Sequence, residues 1–305
     1  MHAILETKTF DTGVVRLSYA EAGNPGGRPL ILLHGGAWCW QEFLPLLPEL
    51  CLRHHVYALD LRGHGGSEHA PGHYRLLDFT DDVTRFLTER VGAPAVLMGH
   101  SVGSVVAAMV AGRQPEQVCG LVLEEPAVTL RRYREIVQQN LGVYATWSKV
   151  AALRGSALEK MRALADSDVD LGAGPVRFGD IPGVTNDLLM FLGLCLRSLD
   201  PSFLPWLGDN FECFVEGYDP EDRLPRLSCP TLLLHGESRL GGVMTADDLA
   251  DARRILPAGA LIVGHEGMGH ELHMKSCEPI ARSVTRFLEL LPTRGHQDED
   301  GRPVR

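Results

Sequence analysis

The chain opens with two stretches of alternating polar and apolar residues, Ile4–Phe10 and Val14–Tyr19, joined at Asp11-Thr12-Gly13. This pattern predicts an antiparallel pair of strands. From residue 29 the texture changes. Short, almost wholly apolar runs recur at Pro29–Leu33, His55–Leu59, Ala95–Met98 and Cys119–Leu123. Runs of that kind predict strands buried on both faces. Helical stretches are predicted between them, at about Gln41–Leu50, at Leu77–Val91 with Thr80, Asp81 and Asp82 in its first turn, and from Val102 onward. Strand and helix in alternation predict an α/β protein with a parallel sheet covered by helices on both faces.

The alternation stops between Ala127 and Leu227, where the text is helical and aromatic, with Tyr133, Tyr144, Trp147, Phe191, Phe203 and Trp206. It resumes with a strand at Pro230–Leu234, a helix at Ala246–Leu256, a strand at Ala260–Val263 and a helix at Pro279–Leu291. We therefore divide the chain into a core, residues 1–126 and 228–292, and a helical insertion, residues 127–227. An insertion of that kind reads as a cap (lid) over the carboxyl ends of the strands, where ligands bind in such sheets. The polar tail, 293–305, is expected to be disordered.

Composition narrows the function classes. A formal net charge of −10 argues against nucleic acid or an anionic membrane as partner. Seven scattered cysteines without metal-ligand spacing suggest reduced, mostly buried thiols, and neither a metal nor a cofactor is expected. The N-terminus lacks a signal-peptide core and no apolar run reaches the roughly 20 residues of a membrane span, so the expectation is a cytoplasmic protein.

The chemistry centres on Gly99-His100-Ser101-Val102-Gly103, which lies between an apolar strand and a helix of small residues. G-x-S-x-G in that setting is a nucleophile elbow, with the serine hydroxyl presented at a helix N-terminus. A serine needs a base. The candidate is His270, in the glycine-rich loop before the last helix, with His265 and His273 as rivals. Oxyanion donors are expected from the Val102 N–H and from the loop His34-Gly35-Gly36-Ala37-Trp38, with Gly36 preferred to Ala37. Trp38 and His100 are assigned to the substrate pocket, although Trp38, like Trp40, could instead pack the first helix. In Asp60–Ser67, a structural turn is expected, with Asp60 and Arg62 holding neighbouring loops. The acid that orients the histidine is open among Glu124, Glu125, Glu237, Asp247 and Asp248; Thr245 and Asp248 also read as a helix start.

Together the His34-Gly35-Gly36 loop, the Asp60–Ser67 turn, the elbow at Ser101 and Gly269-His270 resemble the α/β-hydrolase superfamily over residues 1–126 and 228–292. The resemblance implies a mostly parallel eight-stranded sheet. It also implies an acid three residues past the glycine that ends the penultimate strand, but that position holds Arg239. In this respect the chain resembles the branch that keeps its acid after the preceding strand, as in some haloalkane dehalogenases and zearalenone-type lactonases. There Glu125 is the first residue past the strand and stands before a proline. Dehalogenases and epoxide hydrolases of this superfamily use an aspartate nucleophile; Ser101 points instead to acyl chemistry. The expectation is a serine hydrolase with the triad Ser101, His270 and Glu125, acting on a small-molecule ester or lactone. A carbon–carbon bond hydrolase for vinylogous diketones, a haloperoxidase-like activity without cofactor, and a non-catalytic ligand receptor are the alternatives.

Overall fold

A computed structural model describes residues 5–170, 172 and 174–292; Ile4 and the tail 293–305 lie outside the described residues. The chain builds an eight-stranded sheet in the order β1-β2-β4-β3-β5-β6-β9-β10. Its strands are β1 (Glu6–Asp11), β2 (Arg16–Gly23), β3 (Arg28–Leu33), β4 (His54–Leu59), β5 (Ala95–His100), β6 (Val118–Glu124), β9 (Thr231–His235) and β10 (Leu261–Gly264). The β1–β2 and β2–β4 pairings are antiparallel, and all the others are parallel.

The continuous apolar runs are explained by what covers them. Leu30 and Leu32 of β3, Val96 and Met98 of β5, and Val122 of β6 face one side. There they meet Phe43 and the last helix, α9 (Cys277–Leu290). Ile31, Leu33, Leu97, Leu121 and Leu123 face the other side. There they meet α1 (Leu76–Arg85) and α2 (Val102–Arg113). Neighbouring residues of a strand point to opposite faces, so a sheet covered twice needs apolar residues at every position.

Between β6 and β9 run α3 (Leu130–Gln139), α4 (Leu141–Ala152), α5 (Ala157–Ala165), α6 (Asn186–Ser198) and α7 (Phe203–Asp209). They are interrupted by a small antiparallel hairpin, β7 (Asp168–Asp170) and β8 (Pro175–Arg177), which the helical texture of this stretch does not predict. The helix α8 (Ala246–Ile255) follows β9 and opens on a capping box between Thr245 and Asp248. Among the described residues no single helix is long and apolar enough to cross a membrane.

Two expected elements differ in detail. The helix foreseen over Gln41–Leu50 is two isolated turns, Trp40–Phe43 and Leu47–Leu50. Pro45 lies between them and has no N–H to extend a helix. Helix α1 begins at Leu76, where Asp78 Oδ2 accepts the Arg75 N–H at 2.9 Å, so Asp82 falls in its interior rather than its first turn. There Asp82 receives Nε and Nη2 of Arg62, both at 2.7 Å, in a buried ion pair.

Candidate active site

The elbow follows from glycine geometry. Ser101 has φ 51°, a left-handed conformation that non-glycine residues rarely adopt. It is reached because the strand and the helix approach each other without side chains between them. A Cβ on Gly99 would stand 2.2 Å from the Gly103 carbonyl oxygen, and one on Gly103 would stand 2.1 Å from that of Leu33. The Ser101 N–H donates to the Glu124 carbonyl at 2.9 Å, which ties the elbow to the end of β6.

One strand further, Glu125 repeats the pattern. It too has positive φ, 53°, and its N–H donates to the Leu234 carbonyl at 2.9 Å. Its buried carboxylate accepts the Gly236 N–H at Oε1 (2.7 Å) and the Val243 N–H at Oε2 (2.5 Å). Oε2 also faces His270 Nδ1 at 3.3 Å. The His270 backbone is held beside the elbow, where its carbonyl lies 3.2 Å from His100 Nε2. Among the described residues the Ser101 hydroxyl makes no hydrogen bond to His270. Hydrogen bonds of this kind often tighten only with substrate present.

The loop at residues 34–38 is braced by two buried histidines. His64 Nε2 accepts the Ala37 N–H at 3.1 Å, while its Nδ1 donates to the Arg62 carbonyl at 2.8 Å. Burial pushes His64 down to about 4, which keeps it neutral and its Nε2 an acceptor. His34 accepts the Leu61 N–H at 2.9 Å, and burial, with His64 nearby, holds it well below the usual imidazole range. The Gly35 N–H donates to Glu42 Oε1 at 3.3 Å and the Trp38 N–H to the Gly35 carbonyl at 3.2 Å, so Gly35, Ala37 and Trp38 are all engaged. Among the described residues neither the Gly36 nor the Val102 N–H has an acceptor. The two residues are adjacent: a Cβ on Gly36 would stand 3.1 Å from Val102 Cγ2. Asp60 accepts the Trp40 and Gly66 N–H groups at 2.9 and 2.8 Å, tying the turn at residues 60–67 to the segment after this loop.

The rival residues are engaged elsewhere. His265 faces α9, with Nε2 3.5 Å from the Ser283 hydroxyl. His273 is fully buried and its Nδ1 meets both oxygens of Glu124, at 2.8 and 2.9 Å. Burial pushes the Glu124 carboxyl up, but His273 outweighs it and holds the group below its ordinary value. Glu237 accepts the Gly267 N–H and pairs with Arg239. Asp248 closes the α8 capping box and Asp247 is exposed.

His100 does not line a pocket as the sequence suggested. It is fully buried beneath the site, between the Glu42 carboxylate, 3.3 Å from Nδ1, and the His270 carbonyl. Both ring nitrogens thus face oxygen atoms, an arrangement that favours the protonated ring. Burial lowers its pKa, but Glu42, with Glu124 and Glu271 beyond, carries it up to about 9. Trp38 is nearly buried, its ring centroid 5.0 Å from that of Phe191 on α6. Beside it, Cys39 and Cys195 of α6 bring their sulfurs to 3.1 Å. Nothing along the chain signals Glu42, His64 or Val243, because each is engaged through a pairing distant in sequence. Among the described residues no group of His, Cys, Asp and Glu is arranged to hold a metal ion.

An eight-stranded sheet of this order, with a strained serine after β5 and a histidine–carboxylate pair beside it, belongs to one class of protein. The chain is a member of the alpha/beta hydrolase family, which it matches over residues 30–283. Among individual proteins, it is 38% identical over 107 residues to the dihydrolipoyllysine-residue acetyltransferase component of the acetoin cleaving system of Pseudomonas putida; this match covers 35% of the chain and 29% of that protein. It is 29% identical to a putative non-heme haloperoxidase of Mycobacterium phage D29, over 69% of the chain and 71% of the relative. The fold matches that of E-2-(acetamidomethylene)succinate hydrolase, with a TM-score of 0.74 at 20% identity, over 94% of this chain and all of the other.

Proposed function

We propose that this protein is a serine hydrolase that cleaves a carboxylic ester or lactone through an acyl-enzyme. The observation that carries this reading is the Glu125–His270 pair, 3.3 Å apart, beside a serine at φ 51°. In the proposed reaction His270 takes the hydroxyl proton as Ser101 Oγ bonds to the carbonyl carbon. The carbonyl oxygen becomes an oxyanion that accepts the Gly36 and Val102 N–H groups. Collapse of this intermediate breaks the carbon–oxygen bond, and His270 gives its proton to the leaving alcohol. Water, deprotonated by the same histidine, then attacks the acyl-serine and releases the acid, restoring Ser101. Glu125 fixes the tautomer and stabilises the imidazolium that forms in each half.

The helical segment acts as a cap over this site. The reading is supported by the contact of Phe191 with Trp38 and of Cys195 with Cys39, which lay α6 against the oxyanion loop. Those contacts are apolar, so an uncharged acyl or alcohol group suits the site.

The test is labelling with a fluorophosphonate followed by mass spectrometry. Modification at Ser101 that is lost in Ser101→Ala and slowed in Glu125→Gln supports the reading. A protein that binds a small molecule tightly but is never labelled is a receptor instead.

A further inference from the structure

The loop from Gly236 to Val243 presents no side chain to Glu125, yet both its ends touch that carboxylate. The Gly236 end is fixed by the sheet, since β9 stops at His235 and pairs with β6. The Val243 end has no strand around it. Between the two lie a single turn, Ser238–Leu240, and Gly241 in the left-handed region at φ 94°. Val243 nevertheless donates to Glu125 Oε2, the oxygen that faces His270 Nδ1.

What secures Val243 is an arginine of α3. Arg132 Nε and Nη2 both donate to the Val243 carbonyl, at 2.9 and 2.6 Å. Nε also lies 3.1 Å from Oδ2 of the buried Asp248. The Arg132 side chain is only 12% exposed, and its backbone is fixed as well, because its N–H donates to the N-cap Thr129 at 3.1 Å. A guanidinium with two N–H groups on one carbonyl fixes the Val243–Met244 peptide, which shares the Val243 Cα with the Gly242–Val243 peptide whose N–H meets Glu125. Were Val243 released, the carboxylate would keep its Gly236 contact on the other oxygen and be free to turn about its terminal bond, carrying Oε2 away from the imidazole.

We propose that Arg132 is a positioning residue for the candidate triad: by holding Val243 against Glu125 Oε2, it aims the carboxylate at His270. This inference rests on the serine hydrolase reading above. The competing account is that Arg132 merely ties α3 to the start of α8 through Asp248. The two differ in what they change, since a tie affects stability and an aimed carboxylate affects the imidazole.

The experiment uses the full chain with Arg132→Ala and Arg132→Lys. Two quantities are read at a temperature where circular dichroism shows each variant folded. One is the second-order rate of Ser101 labelling by a fluorophosphonate. The other is the downfield proton signal of His270 Nδ1–H, assigned by its loss in Glu125→Gln. Arg132→Ala is expected to slow labelling about tenfold or more, a modest misplacement of catalytic groups, and to shift or broaden the imidazole signal. Arg132→Lys, a point donor, should recover part of both. A folded Arg132→Ala with a lowered melting temperature but wild-type labelling and an unmoved signal overturns the proposal. If Arg132→Ala does not fold, Arg132→Lys carries the same test. Failure of the underlying reading is seen separately, in wild-type protein that is not labelled at Ser101.

Discussion

Glu124 and Glu125 are adjacent in the chain, and each meets a different histidine of one segment: Glu124 takes His273, in the helical turn Leu272–Lys275, and Glu125 faces His270, just before it. The first pair is sealed, with both side chains fully buried, whereas the His270 side chain keeps 19% of its surface exposed. Two chemically identical pairs thus stand side by side, and only one can meet a substrate.

The two glutamates should therefore fail differently. Glu125→Gln is expected to lower ester hydrolysis or serine labelling by about a thousandfold or more, the scale seen when a triad acid loses its charge. Glu124→Gln takes away an acceptor that the His273 ring and backbone N–H both meet in a buried site and should cost about 1–3 kcal/mol of stability. Steady-state rates together with urea unfolding of both variants check this. Equal rate losses with equal stability would sink the division of labour.

His100 makes stability depend on pH in a definite direction. Its pKa rises from 6.5 to about 9 on folding, in a setting formed by Glu42, Glu124, Glu271, His273 and the His270 carbonyl. A raised pKa stabilises the fold fully below the unfolded value, and the contribution disappears as pH rises through the folded one. The melting temperature of the wild type should accordingly fall from about pH 6.5 to about 9 more steeply than that of His100→Gln, of order 3 kcal/mol in all. Calorimetric scans across this range give the answer; parallel curves would mean that the ring is not an imidazolium.

Glycines 103 and 112 stand on the same helix and should respond oppositely to alanine. A Cβ at Gly103 meets the Leu33 carbonyl at 2.1 Å, while one at Gly112 meets nothing within 4 Å. Gly103→Ala is expected to abolish soluble expression or remove several kcal/mol of stability, with the elbow displaced. Gly112→Ala should stabilise by about 0.5–1 kcal/mol through helix propensity. Thermal denaturation of the two proteins separates the effects, and a well-folded, wild-type-like Gly103→Ala contradicts the geometry.

The central elements are legible in the sequence because their cause is local. Ala95–Met98 must be a strand covered twice, and Gly99 and Gly103 flank a serine that only a tight turn can present. The hairpin at β7 and β8 is not legible, since its three-residue strands are too short to show an alternation. Nor is the burial of His100: nothing at position 100 announces that Glu42, 58 residues earlier, will lie beneath it. His64 is hidden for the same reason, for its glycine-rich surroundings read as a turn while its ring reaches back 27 residues to the Ala37 N–H. Patterns along the chain reveal which residues face the core. They do not reveal which buried polar groups will find each other.

The loop from Gly236 to Val243 serves Glu125 through its main chain alone. At its tip Ser238, Arg239 and Leu240 are exposed, and Arg239 points outward with 71% of its side chain in solvent. The length of the loop is constrained, because one residue more or less would move a donor off the carboxylate. Substitutions at these three positions should pass silently where insertions and deletions do not, so that reading relatedness by residue identity there would underrate how faithfully the backbone path is kept.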